Sequence, residues 1–268
     1  MPDRIAALLA QGPVLADAAY GTALLPHVQL GERVEQLNLR APALVRALAE
    51  AYVAAGARVL WSNTFGVGLP GFPASERSDA MRAGVTIARA AAGDTRAVFA
   101  ALGPMACDMD EFATLLRIAR EAGADALVLE TMTRVPEALT WCAACTTEGM
   151  PVAVSYTVQL TDDGALRTLD GVALIDAARR AKDAGAFSVG VNCCDGPATV
   201  LDAVRALHDA GLGPILARPN AGVPEPAEAE AFATALRALA DAGAWLVGGC
   251  CGTKPAHIAA AARALALR

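Results

Sequence analysis

The chain has 268 residues, 55% hydrophobic but only 4% aromatic, with 22 basic against 28 acidic side chains and seven cysteines. A chain of this length buries roughly 75% of the surface its unfolded form exposes, so it needs no staples, and the odd cysteine count suits thiols or metal ligands better than disulfides. A net charge of −6 with three Trp, three Tyr, six Phe and no basic cluster argues against a nucleic-acid partner.

The N-terminal stretch Met1–Ala10 carries an acid beside its base and too short an apolar run for a secretory leader, so a cytoplasmic protein is expected. Apolar strand candidates follow at Val14–Ala19, Arg58–Phe65, Ala97–Leu102, Ala126–Thr131, Pro151–Val158, Ser188–Cys193, Pro214–Arg218 and Trp245–Gly249. Helical patterns lie between them at Ala43–Ala55, Glu111–Ala122, Gly171–Ala184, Thr199–Ala210 and Glu228–Ala242, and Pro255–Leu267 closes the chain. The longest uncharged stretch, Val59–Ser75, is broken by three glycines and two prolines, so no membrane span is expected.

Five junctions share one grammar, centred on Gly56, Gly123, Gly185, Gly211 and Gly243, each after an amphipathic run and before an apolar one. A glycine there ends the helix in the left-handed region and swings the chain into a strand. Eight strand-helix units of about 33 residues each fill the chain, which is the size of a parallel βαβ repeat. The expected fold is therefore α/β, a single-domain (β/α)8 TIM barrel over residues 1–268. An open doubly wound sheet fits less well, because Ala16–Thr22 is no glycine-rich phosphate fingerprint.

In such a barrel, function gathers at the C-terminal ends of the strands. Those ends carry Asp17, Asn63, Thr64, Glu130, Asn192, Cys193, Asn220, Cys250 and Cys251. Gly248-Gly-Cys-Cys-Gly252 sets two thiols side by side, and its glycines let the backbone leave strand geometry so that both sulfurs converge. Cys193 ends the strand two positions away around the barrel. Three thiolates from two strand ends leave one tetrahedral position open, as a catalytic zinc site requires. Cys194, beside Cys193, competes for the third place. Trp141-Cys-Ala-Ala-Cys145 falls in mid-helix, whereas a redox pair sits at a helix N-terminus, so packing is expected there. His27, His208 and His257 all lie away from the strand ends, which leaves Ser-His-Asp and Cys-His catalysis without support.

The chain resembles the homocysteine S-methyltransferase family, and within it the homocysteine-binding barrel of cobalamin-dependent methionine synthases. The resemblance rests on Leu15–Thr22, Ala51–Ala57 leading into Asn63-Thr-Phe-Gly66, Leu102-Gly-Pro104, Gly123–Thr131, Gly190-Val-Asn-Cys193, Pro219–Pro224 and Val247–Thr253, in the family's order. It implies that Cys193, rather than Cys194, binds Zn2+ with Cys250 and Cys251, and that homocysteine sulfur takes the fourth position. It also implies that Asp17 and Glu130 hold the substrate ammonium, with Asn63 and Asn220 at the rim. Ala18 replaces the family's usual glycine, and the loop after Pro104 reaches its helix by about Glu111, shorter than usual, which is expected to leave the mouth open.

The expected reaction is methyl transfer to homocysteine, giving methionine. No corrinoid or pterin segment is apparent, and Thr161–Gly171 is similar to the methionine-synthase barrel, so the expected donor is methylcobalamin on a separate corrinoid protein. S-methylmethionine, S-adenosylmethionine and betaine are the competing small donors. A non-catalytic zinc or thiol-binding barrel, and a redox protein using Cys142 and Cys145, are the readings of another class.

Overall fold

Short apolar strands joined by amphipathic helices bury both sheet faces either under helices on both sides or by closing into a barrel with helices outside and strand side chains filling the inside. The computed structural model describes residues 3–222 and 225–266 and shows the second solution. The strands are β1 (Val14–Leu15), β2 (Val59–Trp61), β3 (Ala97–Leu102), β4 (Ala126–Met132), β5 (Val152–Tyr156), β6 (Val158–Leu160), β7 (Leu166–Thr168), β8 (Ser188–Cys193), β9 (Ile215–Pro219) and β10 (Ala244–Val247). Eight of them pair in parallel in the order β1-β10-β9-β8-β5-β4-β3-β2. Ala16 bridges Val59, with the Arg58 amide donating to the Leu15 carbonyl at 2.7 Å, so the ring closes into a (β/α)8 barrel.

All five junction glycines have positive φ, from 69° at Gly211 to 106° at Gly243, and each ends a helix. The expected strands at Val14–Ala19, Arg58–Phe65 and Trp245–Gly249 contract to their first few residues, because the residues beyond leave the ladder to build the mouth. The helix expected at Glu111–Ala122 spans Met109–Glu121, its start moved back by Asp108, whose side chain accepts from the Glu111 amide at 2.9 Å. The helix expected at Gly171–Ala184 begins only at Leu174. Gly171 instead closes a turn beside β6 and β7, an antiparallel hairpin that alternation over so few residues did not reveal. Among the described residues, helices absent from the sequence reading are present at Asp3–Leu9 and Arg77–Ala92, with one-turn helices at Gly21–Leu24 and Leu37–Arg40. The final helix is described from Pro255 to Ala266. Leu267 lies outside the described residues, as do Met1, Pro2, Arg268 and the Val223-Pro224 end of one family motif. No described helix is long and apolar enough to cross a membrane.

Period-two alternation divides the core. Leu60, Val98, Ala100, Leu127 and Val154 face the helices, while Val59, Trp61, Ala97, Phe99, Ala126, Val128, Ala153 and Leu216 fill the barrel. Ile5 and Leu8 of the first helix join this inner cluster and close its lower end, where Arg4 pairs with Asp125 at 3.0 Å. Continuing the inner files upward by two residues gives Glu130, Ser155, Asn192 and Arg218. The barrel is thus apolar below and polar at its mouth.

Candidate metal centre and its pocket

The turn after β10 brings the adjacent thiols together. Its amides are all engaged: Gly249 donates to the Asp17 carbonyl, Cys250 to the Pro219 carbonyl, Cys251 to Asn220 Oδ1 and Gly252 to Thr22 Oγ1, at 2.9 to 3.1 Å. Gly252 sits at φ 80°, and a Cβ there would come within 1.9 Å of the Gly222 carbonyl oxygen. Across the mouth, β8 ends with Cys193 and Cys194 at φ 60° and 55°, a left-handed pair that side-chain-bearing residues rarely adopt. That bend turns Cys193 toward the other thiols and Cys194 away, so that the Cys194 sulfur accepts from the Val158 amide at the hairpin base.

The sulfurs of Cys193, Cys250 and Cys251 lie within 4.8 Å of one another. Cys193 Sγ is 2.8 Å from Cys250 Sγ and 3.9 Å from Cys251 Sγ. Sulfurs about 2.3 Å from one tetrahedral ion stand about 3.8 Å apart, so one separation already suits zinc and the other would open by about 1 Å. The contacts with Cys250 and Cys251 push the Cys193 thiol up, and the contacts with Cys193 and Cys250 pull Cys251 down to about 3. Crowded sulfurs sharing protons are a donor set suited to a soft cation. Among the described residues this is the cluster that fits one.

Asn192 braces the centre. Its Nδ2 donates to Thr131 Oγ1 at 2.7 Å and approaches Cys250 Sγ at 3.7 Å, while its Oδ1 accepts from the Thr131 amide and from Ser155 Oγ. Thr131 is itself left-handed, at φ 54°, where the pairing of β4 with β5 shifts register between Leu129 and Met132. Such a bulge re-aims the neighbouring side chains. Glu130 faces the cavity from this point, and burial pushes its carboxyl up to about 7 against the pull of Arg218.

A cavity of about 490 Å3 opens above the thiols, walled by Tyr20, Trp61, Phe65, Glu35, Glu130 and Arg218. The loop after β3 does not stand over it. The Gly103 and Ala106 amides donate to the Phe65 and Gly68 carbonyls and fold the loop down beside them.

The expected rim and substrate residues divide. Glu130 and Asn63 line the cavity, although the Asn63 amide already donates to the Val34 carbonyl and Asn38 Oδ1. Asn220 does not reach the cavity wall, because its amide clamps the Cys194 carbonyl and the Cys251 amide. Asp17 is fully buried behind the wall and pairs with Arg218 at 3.2 Å. Arg218 escaped the sequence reading, which took it as the end of a strand. Its signal was a charge within the apolar run Ile215–Pro219.

A parallel barrel carrying three convergent thiols and a carboxylate-lined cavity at its C-terminal mouth has the architecture of a barrel enzyme whose thiols could hold a soft cation. The model of the homocysteine S-methyltransferase family matches residues 14–265. The chain therefore belongs to the homocysteine S-methyltransferase family. It is 30% identical to the methionine synthase of Mycobacterium leprae over 96% of its length, and 30% identical to that of Mycobacterium tuberculosis over 87%. It spans only 25% and 22% of those two relatives. Among solved structures, the apo form of the homocysteine methyltransferase MmuM from Escherichia coli superposes with a TM-score of 0.76 at 25% identity, covering 95% of this chain and 97% of that one. The metallated form of the same protein matches with a TM-score of 0.79 at 24% identity, covering 96% and 98%.

Proposed function

We propose that this chain transfers a methyl group to the thiol of homocysteine, giving methionine, with Zn2+ held by Cys193, Cys250 and Cys251. The observation that carries the reading is the convergence of three sulfurs within 4.8 Å beneath a cavity that Glu130 lines. Zinc on three thiolates supplies a Lewis acid that keeps an acceptor thiol deprotonated near neutral pH. Asn192 holds Cys250 in place through its amide, and the glycine turn keeps Cys250 and Cys251 on one side of the backbone. Glu130, pushed up by burial, is stabilised as a carboxylate when an ammonium group arrives beside it, which suits an amino-acid acceptor.

In the transfer, the acceptor sulfur forms a bond to the methyl carbon while the bond to the donor breaks. The electron pair of that bond leaves with the donor, and the thiol proton goes to solvent. Aromatic side chains of Tyr20, Trp61 and Phe65 give the cavity apolar walls.

For the donor, the reading is methylcobalamin carried by a separate corrinoid protein. Leu25 and Leu30 in the segment after β1, and Leu160 and Leu169 at the β6–β7 hairpin, are exposed on loops that follow C-terminal strand ends, which suits a docked partner. The purified chain should bind one equivalent of zinc and form methionine when supplied with a methylcobalamin-bearing protein. Efficient turnover with S-methylmethionine, S-adenosylmethionine or betaine instead would sink the corrinoid reading. Zinc binding without methionine from any donor would leave a non-catalytic thiol-binding barrel.

A further inference from the structure

Asp17 and Glu130 both approach the cavity floor, yet they are not equivalent. Asp17 has no exposed surface and is absent from the cavity wall. Its Oδ2 accepts from the Trp61 amide at 2.9 Å and its Oδ1 from Arg218 Nη1 at 3.2 Å. Glu130 lines the cavity, and no side-chain hydrogen bond among the described residues ties down its carboxylate. Arg218 makes the difference. It is 2% exposed, and its guanidinium carbon lies 3.9 Å over the Trp61 ring. Its Nε donates to the Gly249 carbonyl at 3.0 Å and its Nη2 to the Ala18 carbonyl at 3.4 Å. It attracts Glu130 electrostatically without forming an ion pair with it.

We propose that Arg218 is a resident cation that closes the Asp17 half of this acidic floor, so that Glu130 alone reads the positive charge of the acceptor and Asp17 is a positioning residue for Arg218. The proposal rests on the amino-acid acceptor reading above. Two carboxylates and one guanidinium leave a single net negative charge, which matches one ammonium group. For an ammonium to reach Asp17, Arg218 would have to give up its stacking on Trp61 and three hydrogen bonds at a buried position. The same guanidinium ties β9 to the carbonyl just before Cys250 and to the segment after β1. It thereby fixes the distance between the charge that Glu130 reads and the thiols below. An acceptor is selected by one cation at a set distance from its sulfur.

The test is calorimetric titration of the zinc-loaded chain with L-homocysteine and with 4-sulfanylbutanoate, which lacks only the amine. The unaltered chain should prefer homocysteine by at least about tenfold. Glu130→Gln should abolish the preference. Asp17→Asn alone leaves the guanidinium uncompensated and should lower the preference, whereas the Asp17→Asn/Arg218→Gln double variant, which restores the single net negative charge, should keep it within about threefold even if both acceptors bind more weakly. Arg218→Gln, which frees Asp17, should raise the preference, and Arg218→Lys should leave it near the original. A residue that served folding alone would weaken both acceptors together and leave the ratio unchanged, so an unchanged ratio in Arg218→Gln overturns the proposal. A collapse of the ratio in the Asp17→Asn/Arg218→Gln double variant overturns it as well, and if that variant does not fold, the two Arg218 single variants decide. An unaltered chain that binds neither acceptor would overturn the acceptor reading, and the Glu130 assignment with it. In that case, melting of ligand-free Asp17→Asn, Arg218→Gln and the double variant still judges the pair, since additive losses would reduce it to an incidental contact.

Discussion

Two groups of cysteines in this chain meet opposite fates. At the barrel mouth, Cys193, Cys250 and Cys251 are half-buried and converge from two strand ends, with Cys193 Sγ 2.8 Å from Cys250 Sγ. On the flank, Cys142 and Cys145 sit one turn apart on the helix Val135–Thr147, fully buried. Burial pushes the Cys142 thiol up to about 11 and pushes the Cys145 thiol well up too, and the Cys142 sulfur donates weakly to the Ala181 and Ala184 carbonyls. A neutral buried thiol is a small hydrophobe, and a helix face offers it no converging partners. In this chain the sulfurs converge where the backbone leaves regular geometry, at Cys193 with positive φ and at the glycine turn. Spacing in sequence is a poor guide to this: Cys142 and Cys145 are three residues apart, whereas Cys193 and Cys250 are 57 apart.

The contrast breaks most sharply at the metal. Cys251→Ala or Cys193→Ala should take bound zinc from one equivalent to none by atomic absorption and cut methionine formation by at least about a hundredfold. Cys142→Ala should leave both unchanged. Removing the metal with a chelator should lower the melting temperature of the unaltered chain but not of Cys251→Ala. Zinc retained by the mouth variants would remove the distinction altogether.

Next in size is Gly190→Ala, where a Cβ would meet the Leu216 carbonyl oxygen at 1.9 Å between β8 and β9. It should destabilise the barrel by more than about 4 kcal/mol in urea unfolding, because neither backbone can yield. A loss below about 1 kcal/mol would mean that the strand ends holding Cys193 are looser than this register requires. Asn192→Ala should weaken zinc by about 10 to 100-fold in competition with a chelator, while a helix-face change near Cys142 should not move it. The smallest effects belong to thiols outside the mouth. Cys142→Ala should cost about 1 kcal/mol through a small cavity. Cys107→Ala, in a partly exposed loop, should stay within about 0.5 kcal/mol by the same unfolding measurement.

Much of this was legible beforehand for identifiable reasons. The glycine junctions fixed helix ends because few other residues tolerate positive φ, and the strand at Ser188–Cys193 was read to the residue. The strands read as continuous apolar runs, so the inward file of Glu130, Asn192 and Arg218 emerged only in the structure, and a single arginine in an apolar strand reads as a strand end until its partners are known. The hairpin of β6 and β7 stayed hidden because three-residue strands carry too little alternation. Asn220 was expected at the rim and instead clamps backbone, a role decided by a neighbouring strand rather than by its own segment.

By itself the sequence determined the number of strand-helix units, the mouth at which polar residues gather, and the glycine-flanked pair Cys250 and Cys251, while the choice of Cys193 over Cys194 came from the family resemblance. Periodicity, left-handed glycines and a cysteine pair between glycines are local signals, legible without knowing what lies across the barrel. Only the tertiary structure decided which carboxylate is free. Asp17 and Arg218 are 201 residues apart, and their pairing depends on closure of β1 onto β10 and of β10 onto β9. Charge compensation in a buried site is a property of distances, and barrel closure sets those distances.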